Sequence, residues 1–211
     1  MMARLRSYKG ESKTSFDEQA ADYDASLSGR HSVILYERVV RALDRHEYGA
    51  VLDVGCGTGN LLAAILQRRK VAAAGIDLSE KMIEKARERL DGGVDLRVGD
   101  SERLPWNDGT FDIVTCTDSF HHYPSPIAAL KEMRRVLRPG GLVIIADPWA
   151  PMPFRQLANA VLPFRKKGDV RLYSEQEMKK LLDESGLKVM SWETIGISAF
   201  VLVATAASSF S

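Results

Sequence analysis

Residues 51–60 read Val-Leu-Asp-Val-Gly-Cys-Gly-Thr-Gly-Asn, and three alternating glycines there close a buried-looking strand and open a helix. Gly55, Gly57 and Gly59 carry no Cβ, so the main chain can take positive φ and a ligand can lie against bare backbone. A turn of this kind suits a small, flat, adenosine-like guest and a fold in which strands feed helices.

The rest of the chain repeats that alternation. Apolar runs at 50–54, 71–76, 94–98, 111–116 and 142–146 are separated by segments of helical period, which predicts a parallel sheet joined by helical crossovers. Ser79 reads as the N-cap of a helix with Met82, Ile83, Ala86 and Leu90 on one stripe. Ser174-Glu175-Gln176-Glu177 reads as a capping box, and Gly186 as that helix's stop. Two strand-like runs, 187–194 and 197–205, meet around Gly196 and predict a hairpin. The sum is a seven-stranded, mainly parallel α/β sheet with one antiparallel strand near an edge and helices on both faces.

With 211 residues and 45% hydrophobic composition the chain is long enough for one well-buried domain. Its net charge of +1 gives no global field for nucleic acid or membrane, so any such claim rests on a local patch. The longest apolar run, 197–207, is too short to span a bilayer, which takes about 20 residues. Residues 1–13 are polar, without the apolar core of a secretory signal, and the expected compartment is the cytoplasm. Cys56 and Cys116 lack His or Cys companions at metal-ligand spacing, so neither a metal nor a disulfide is expected.

Four blocks, 51–60, 75–87, 98–124 and 129–148, stand in an order and spacing that resembles the class I S-adenosylmethionine-dependent methyltransferases, in the type 11 branch similar to the ubiquinone and menaquinone biosynthesis methyltransferases. The glycines alone serve a dinucleotide site equally well. The dehydrogenase fingerprint, however, wants glycine where Asn60 stands. The resemblance implies that Asp53 looks toward the methionine ammonium, that Asp77 accepts from the ribose hydroxyls, and that Asp100 accepts from the adenine amine while Ser101 lends a backbone donor. It places Gly55, Cys56, Gly57, Gly59, Leu78, Met82 and Thr117 along the same cofactor. Asp77 serves NAD as readily, and Asp100 also suits a plain Asx turn.

The leading segment 16–24 resembles the branch's lid, with Tyr23 offering an aromatic face to a sulfonium; a merely packed tyrosine is the other reading. Arg30 is a weaker candidate, for the donor's carboxylate. The run 111–122 carries the fourth strand to the top of the sheet, where Phe120 is expected near the cofactor and His121 and His122 at the substrate mouth. As a neutral imidazole, His121 can take a proton near pH 7; a histidine bracing the loop competes with that. Trp106, Phe120, Phe154 and Phe164 are available for an apolar acceptor pocket.

Asp147-Pro148-Trp149 superficially resembles the acidic Pro-Pro-aromatic motif of base N-methylating enzymes, but it follows the wrong strand. The domain reading is a flexible basic N-terminus at 1–15, a methyltransferase domain at 16–205 with lid helices at 16–47, an acceptor-loop insertion at 149–173, and a tail at 206–211. Arg165-Lys166-Lys167 in the insertion either recognises a carboxylate or phosphate or is a solvated loop. The resemblance implies in-line methyl transfer to a small-molecule acceptor, leaving S-adenosylhomocysteine, with no metal and no strong nucleic-acid signal. An NAD-dependent oxidoreductase and a non-catalytic adenosyl-binding module stay open beside it, and the oligomeric state is not fixed.

Overall fold

A computed structural model describes residues 2–165 and 168–206. In chain order the elements are α1 (Met2–Gln19), α2 (Leu27–Leu43), β1 (Ala50–Val54), α3 (Asn60–Leu66), β2 (Ala72–Asp77), α4 (Glu80–Arg89), β3 (Asp95–Val98), β4 (Phe111–Thr117), α5 (Pro126–Val136), β5 (Leu137–Pro148), α6 (Phe154–Val161), α7 (Glu175–Glu184), β6 (Leu187–Ile195) and β7 (Ala199–Ala206). One seven-stranded sheet runs β3-β2-β1-β4-β5-β7-β6. β7 lies antiparallel to both β5 and β6, and the other pairings are parallel. The chain builds outward from β1 through β3, then returns to the other side of β1 with β4. That reversal leaves a crevice over the carboxyl ends of β1 and β4, where open α/β sheets bind ligands.

Successive strand residues point to opposite faces, and the burial follows. Leu52, Val54, Val114, Cys116, Val143 and Ile145 share one core with residues of α5 and α7. Val51, Ile113, Ile144 and Ala146 share the other with residues of α2, α3 and α4. The α4 stripe of Met82, Ile83, Ala86 and Leu90 is buried, and Ser79 Oγ caps the helix by accepting from Met82 N at 3.1 Å. The capping box forms reciprocally between Ser174 and Glu177.

Three local expectations are corrected. Residues 2–15, expected as an arm outside the domain, form part of the 18-residue α1. No helix joins β3 to β4; the link 99–110 is turn and loop. β5 begins at Leu137 rather than 142, because Leu137 pairs with Phe111 before the register shifts to Ile113 with Leu142, a bulge around Gly140 and Gly141. Lys166, Lys167 and residues 207–211 of the expected tail lie outside the described residues.

Candidate functional site

A cleft opens at the β1/β4 reversal. Its floor and walls are Gly55 and Gly57, Asp77–Ser79, Gly99–Ser101, Met82 and Thr117–Ser119; Tyr23 and, from α1, Lys9, Ser12, Lys13 and Phe16 close it. The glycine turn is built for close approach. Gly55 has φ 76°, and a Cβ there would stand 2.0 Å from Ser119 Oγ. Gly57 has φ 52°, but a Cβ there would meet nothing within 4 Å, so the space over its backbone is free for a guest. As closed by α1, the cleft holds about 70 Å³. A cofactor pocket takes roughly 300 Å³ or more, so α1 must give way for a nucleoside to enter.

Asp77 organises the floor: Oδ2 accepts from Gly57 N and Oδ1 from Ser79 N, both at 2.9 Å. Burial pushes its pKa up, while those two backbone donors oppose the rise. Ser79 Oγ in turn donates to Asp17 of α1 at 2.6 Å. Tyr23 is buried, with its ring 6.0 Å from that of Phe16 in an edge arrangement, and burial raises its phenol to about 12.

A second chamber of about 460 Å³ lies beyond, lined among others by Gln19, His31, His121, Ala158, Leu162 and Asp169. It shares Phe16, Tyr23, Asp118 and His122 with the cleft. Between the two spaces sits a buried ionic group. His121 Nδ1 meets Asp147 Oδ1 at 3.0 Å, and the same oxygen accepts from Ser119 N and Phe120 N at 3.1 and 3.2 Å. Asp169 Oδ1 lies 3.8 Å from His121 Nε2 and 3.4 Å from His122 Nδ1. Burial works against charge on His121, but Asp147, with Asp118 and Asp169 nearby, carries its pKa to about 9. His122 goes the other way: burial and the neighbouring His121 charge hold it well below the ordinary imidazole value. Asp118 has φ 52°, a left-handed conformation that costs a non-glycine residue about 1 kcal/mol. Its carboxylate is fixed there by Ser32 Oγ at 2.5 Å.

The expected site residues divide. Tyr23, Gly55, Gly57, Asp77, Leu78, Met82, Asp100, Ser101, Thr117 and His122 all line the cleft. Asp53, Cys56 and Gly59 do not. The strand's alternation turns Asp53 to the face of Val51, where it is buried and accepts from Thr115 Oγ1 at 2.7 Å, and burial raises it to about 7. Cys56 Sγ packs toward Gly75, and Gly59 packs on Ala86 and Leu90. His121 lines the second chamber and not the cleft. Asp100 is met by Lys9 Nζ at 2.6 Å. Arg30 is exposed and lines neither space.

Of the aromatic candidates, Phe120 is wholly buried against Tyr123 and Tyr173, and Trp106 packs on Phe111. Phe154 and Phe164 face outward, 66% and 80% exposed. Sequence reasoning missed Asp118, Asp147 and Asp169 as a group. For Asp147 a signal existed, since an acid inside an apolar strand end needs a partner.

Comparison with known proteins follows the same outline. Residues 52–145 match a family described as Methyltransferase domain. The chain is 32% identical over 168 residues to 27-O-demethylrifamycin SV methyltransferase of Amycolatopsis mediterranei, covering 76% of this chain but only 62% of that protein, less than two thirds of its length. It is 30% identical over 173 residues to demethylmenaquinone methyltransferase of Staphylococcus epidermidis, covering 77% of this chain and 71% of that one. A SAM-dependent methyltransferase from Aquifex aeolicus matches with a TM-score of 0.70 at 25% identity, over 89% of this chain and 97% of its own.

Proposed function

This chain belongs to the S-adenosylmethionine-dependent methyltransferase family, and we propose that it moves a methyl group to a small-molecule acceptor held in the second chamber. Membership removes the NAD-dependent oxidoreductase as a competing reading. The observation that carries the proposal is the wall common to both spaces, where Phe16, Tyr23, Asp118 and His122 border the cleft and the chamber at once. A donor in one and an acceptor in the other would meet there.

The residues present suit an adenosyl sulfonium: open backbone over Gly57, an acid at Asp77 on the floor and an aromatic face at Tyr23. When bound, S-adenosylmethionine supplies an electrophilic methyl and leaves as S-adenosylhomocysteine. The protein's contribution is chiefly alignment, which in well-oriented systems is worth about 7–11 kcal/mol. His122, kept neutral at the shared wall, accepts the proton of the attacking group. His121, held charged by Asp147, positions the acceptor's oxygen or nitrogen by donating from Nε2, and Asp169 orients both rings. The proton-accepting role first expected of His121 thus passes to His122. No metal is needed for any of these steps.

The cytoplasm is the compartment that fits, given two buried cysteines without a disulfide. Among the described residues no helix is long and apolar enough to cross a membrane. The test is calorimetry with S-adenosylhomocysteine followed by methyl-transfer assays on cell extract read by mass spectrometry. Binding with a methylated product supports the proposal. Absence of binding removes it, and binding without turnover under a broad acceptor panel leaves an adenosyl-binding module instead.

A further inference from the structure

Two imidazole nitrogens and one carboxylate oxygen converge on the wall of the second chamber. Asp169 Oδ1 stands 3.4 Å from His122 Nδ1 and 3.8 Å from His121 Nε2, and the three atoms all lie within 4.8 Å of one another. His122 Nδ1 is buried and has no hydrogen-bond partner, and 3.8 Å is too long for a hydrogen bond at His121 Nε2. Metal bonds of about 2.0–2.1 Å at the tetrahedral angle put neighbouring ligand atoms about 3.3 Å apart. The two pairs with Asp169 therefore stand within about half an ångström of what a zinc-sized ion imposes.

The fold holds all three groups in place. Val170 N and Arg171 N both donate to His121 O, at 2.8 and 3.2 Å, which ties Asp169 to the histidine turn. Asp147 Oδ1 pins that turn through Ser119 N and Phe120 N and engages His121 Nδ1, so that Nε2 is the nitrogen left toward Asp169. A carboxylate at the other nitrogen is what a metal-binding imidazole commonly has behind it. Two imidazoles and one carboxylate suit zinc and its first-row neighbours, whereas magnesium and calcium take oxygen ligands. Three protein ligands leave a further position open to the chamber that His121, His122 and Asp169 line.

We propose that His121 Nε2, His122 Nδ1 and Asp169 Oδ1 form a binding site for a divalent transition-metal ion of the zinc class, and that its occupancy blocks methyl transfer. In the metal-free protein His121 Nε2 carries a proton. The ion displaces that proton to solvent, while Nδ1 keeps its bond to Asp147. The same ion takes the lone pair of His122 Nδ1, which then no longer accepts a proton from the attacking group. Metal binding stands by itself; the block rests on the methyltransferase reading.

The test is calorimetric titration of the full chain with zinc, repeated with magnesium and on His122→Ala and Asp169→Ala. The parent is expected to bind one zinc per chain and no magnesium. Each variant, at a parental melting temperature, weakens zinc binding more than about tenfold, the least that loss of even an outer-shell partner costs. Labelled-histidine NMR on the parent covers the case of a variant that does not fold: zinc shifts His121 and His122 and leaves His46 in place. No zinc binding, zinc binding kept by the folded variants, or a shift confined to His46 overturns the proposal. S-adenosylhomocysteine calorimetry on the same samples keeps the two readings apart, since zinc binding without donor binding leaves the site standing and removes only the block. On an acceptor found in cell extract, saturating zinc stops transfer and a chelator restores it; transfer undiminished by bound zinc overturns the block.

Discussion

Lys9 Nζ stands 2.6 Å from Asp100 Oδ2 and 2.8 Å from Glu102 Oε2, so the first helix is latched to the loop after β3, across the mouth of the donor cleft. The carboxylate that the family resemblance assigns to the adenine amine is thus engaged by a cation from the lid. Opening the cleft means breaking this pair together with the Asp17–Ser79 bond beside it.

Lys9→Ala is therefore expected to quicken donor entry. A part-exposed pair of this kind is worth about 0.2–1 kcal/mol, which corresponds to an association rate for S-adenosylhomocysteine up to about fivefold higher. Stopped-flow fluorescence reads it directly. An unchanged or slower association shows that the latch does not gate the cleft.

Asp77→Asn keeps the shape of the side chain but removes its charge and one of its two acceptors. Hydrogen bonds to a charged group are worth about 1.5–3 kcal/mol, so donor binding in calorimetry is expected to weaken more than about tenfold. The variant must first show a parental melting temperature, because Asp77 also holds Gly57 N and Ser79 N. Equal affinity for S-adenosylhomocysteine in a folded variant would contradict the assignment of Asp77 to the ribose.

Much of the fold was legible because parallel strands buried on both faces read as continuous apolar runs, as β1 and β4 do. The helix α1 was not: its sequence carries no apolar stripe, and it is held by Lys9, Lys13 and Asp17 through pairs of which two reach Asp100 and Ser79, far along the chain. The donor cleft was largely legible because its glycines and Asp77 serve local backbone needs that motif spacing records. The acceptor side was not, since Asp118, Asp147 and Asp169 come from three separate segments and meet around two histidines only in the folded sheet. Phe154 and Phe164 show the same limit, for helical spacing tells which side chains share a face but not whether that face looks inward.

Gly55 and Gly57 separate conformation from contact. Both have positive φ, but only at Gly55 would a methyl group strike Ser119 and Tyr123, at 2.0 Å from Oγ and 3.1 Å from the phenol oxygen. Gly57→Ala is expected to cost only the left-handed strain, about 1–2 kcal/mol, in urea unfolding. Gly55→Ala adds the steric conflict, so its loss of stability exceeds that of Gly57→Ala. Equal losses would mean that the Ser119 loop moves aside at little cost.

The pH response of the ionic group follows from its opposed histidines. His121 is raised to about 9 from an ordinary 6.5, so the stabilisation from its charge on Asp147 is full at about pH 6.5 and holds on further acidification only until Asp147, whose own pKa burial pushes up, takes a proton. The stabilisation fades as pH rises through 9, where the folded protein loses the proton. Carbon-13 labelled histidine NMR should then show one resonance titrating near pH 9 and a second, His122, neutral throughout the neutral range. In Asp147→Asn the first moves down, because burial is then opposed only by the more distant Asp118 and Asp169, and the second moves up as the neighbouring positive charge weakens. If His121 instead titrates near 6.5 in the parent protein, the charged pair is absent and the division of labour between the two histidines fails with it.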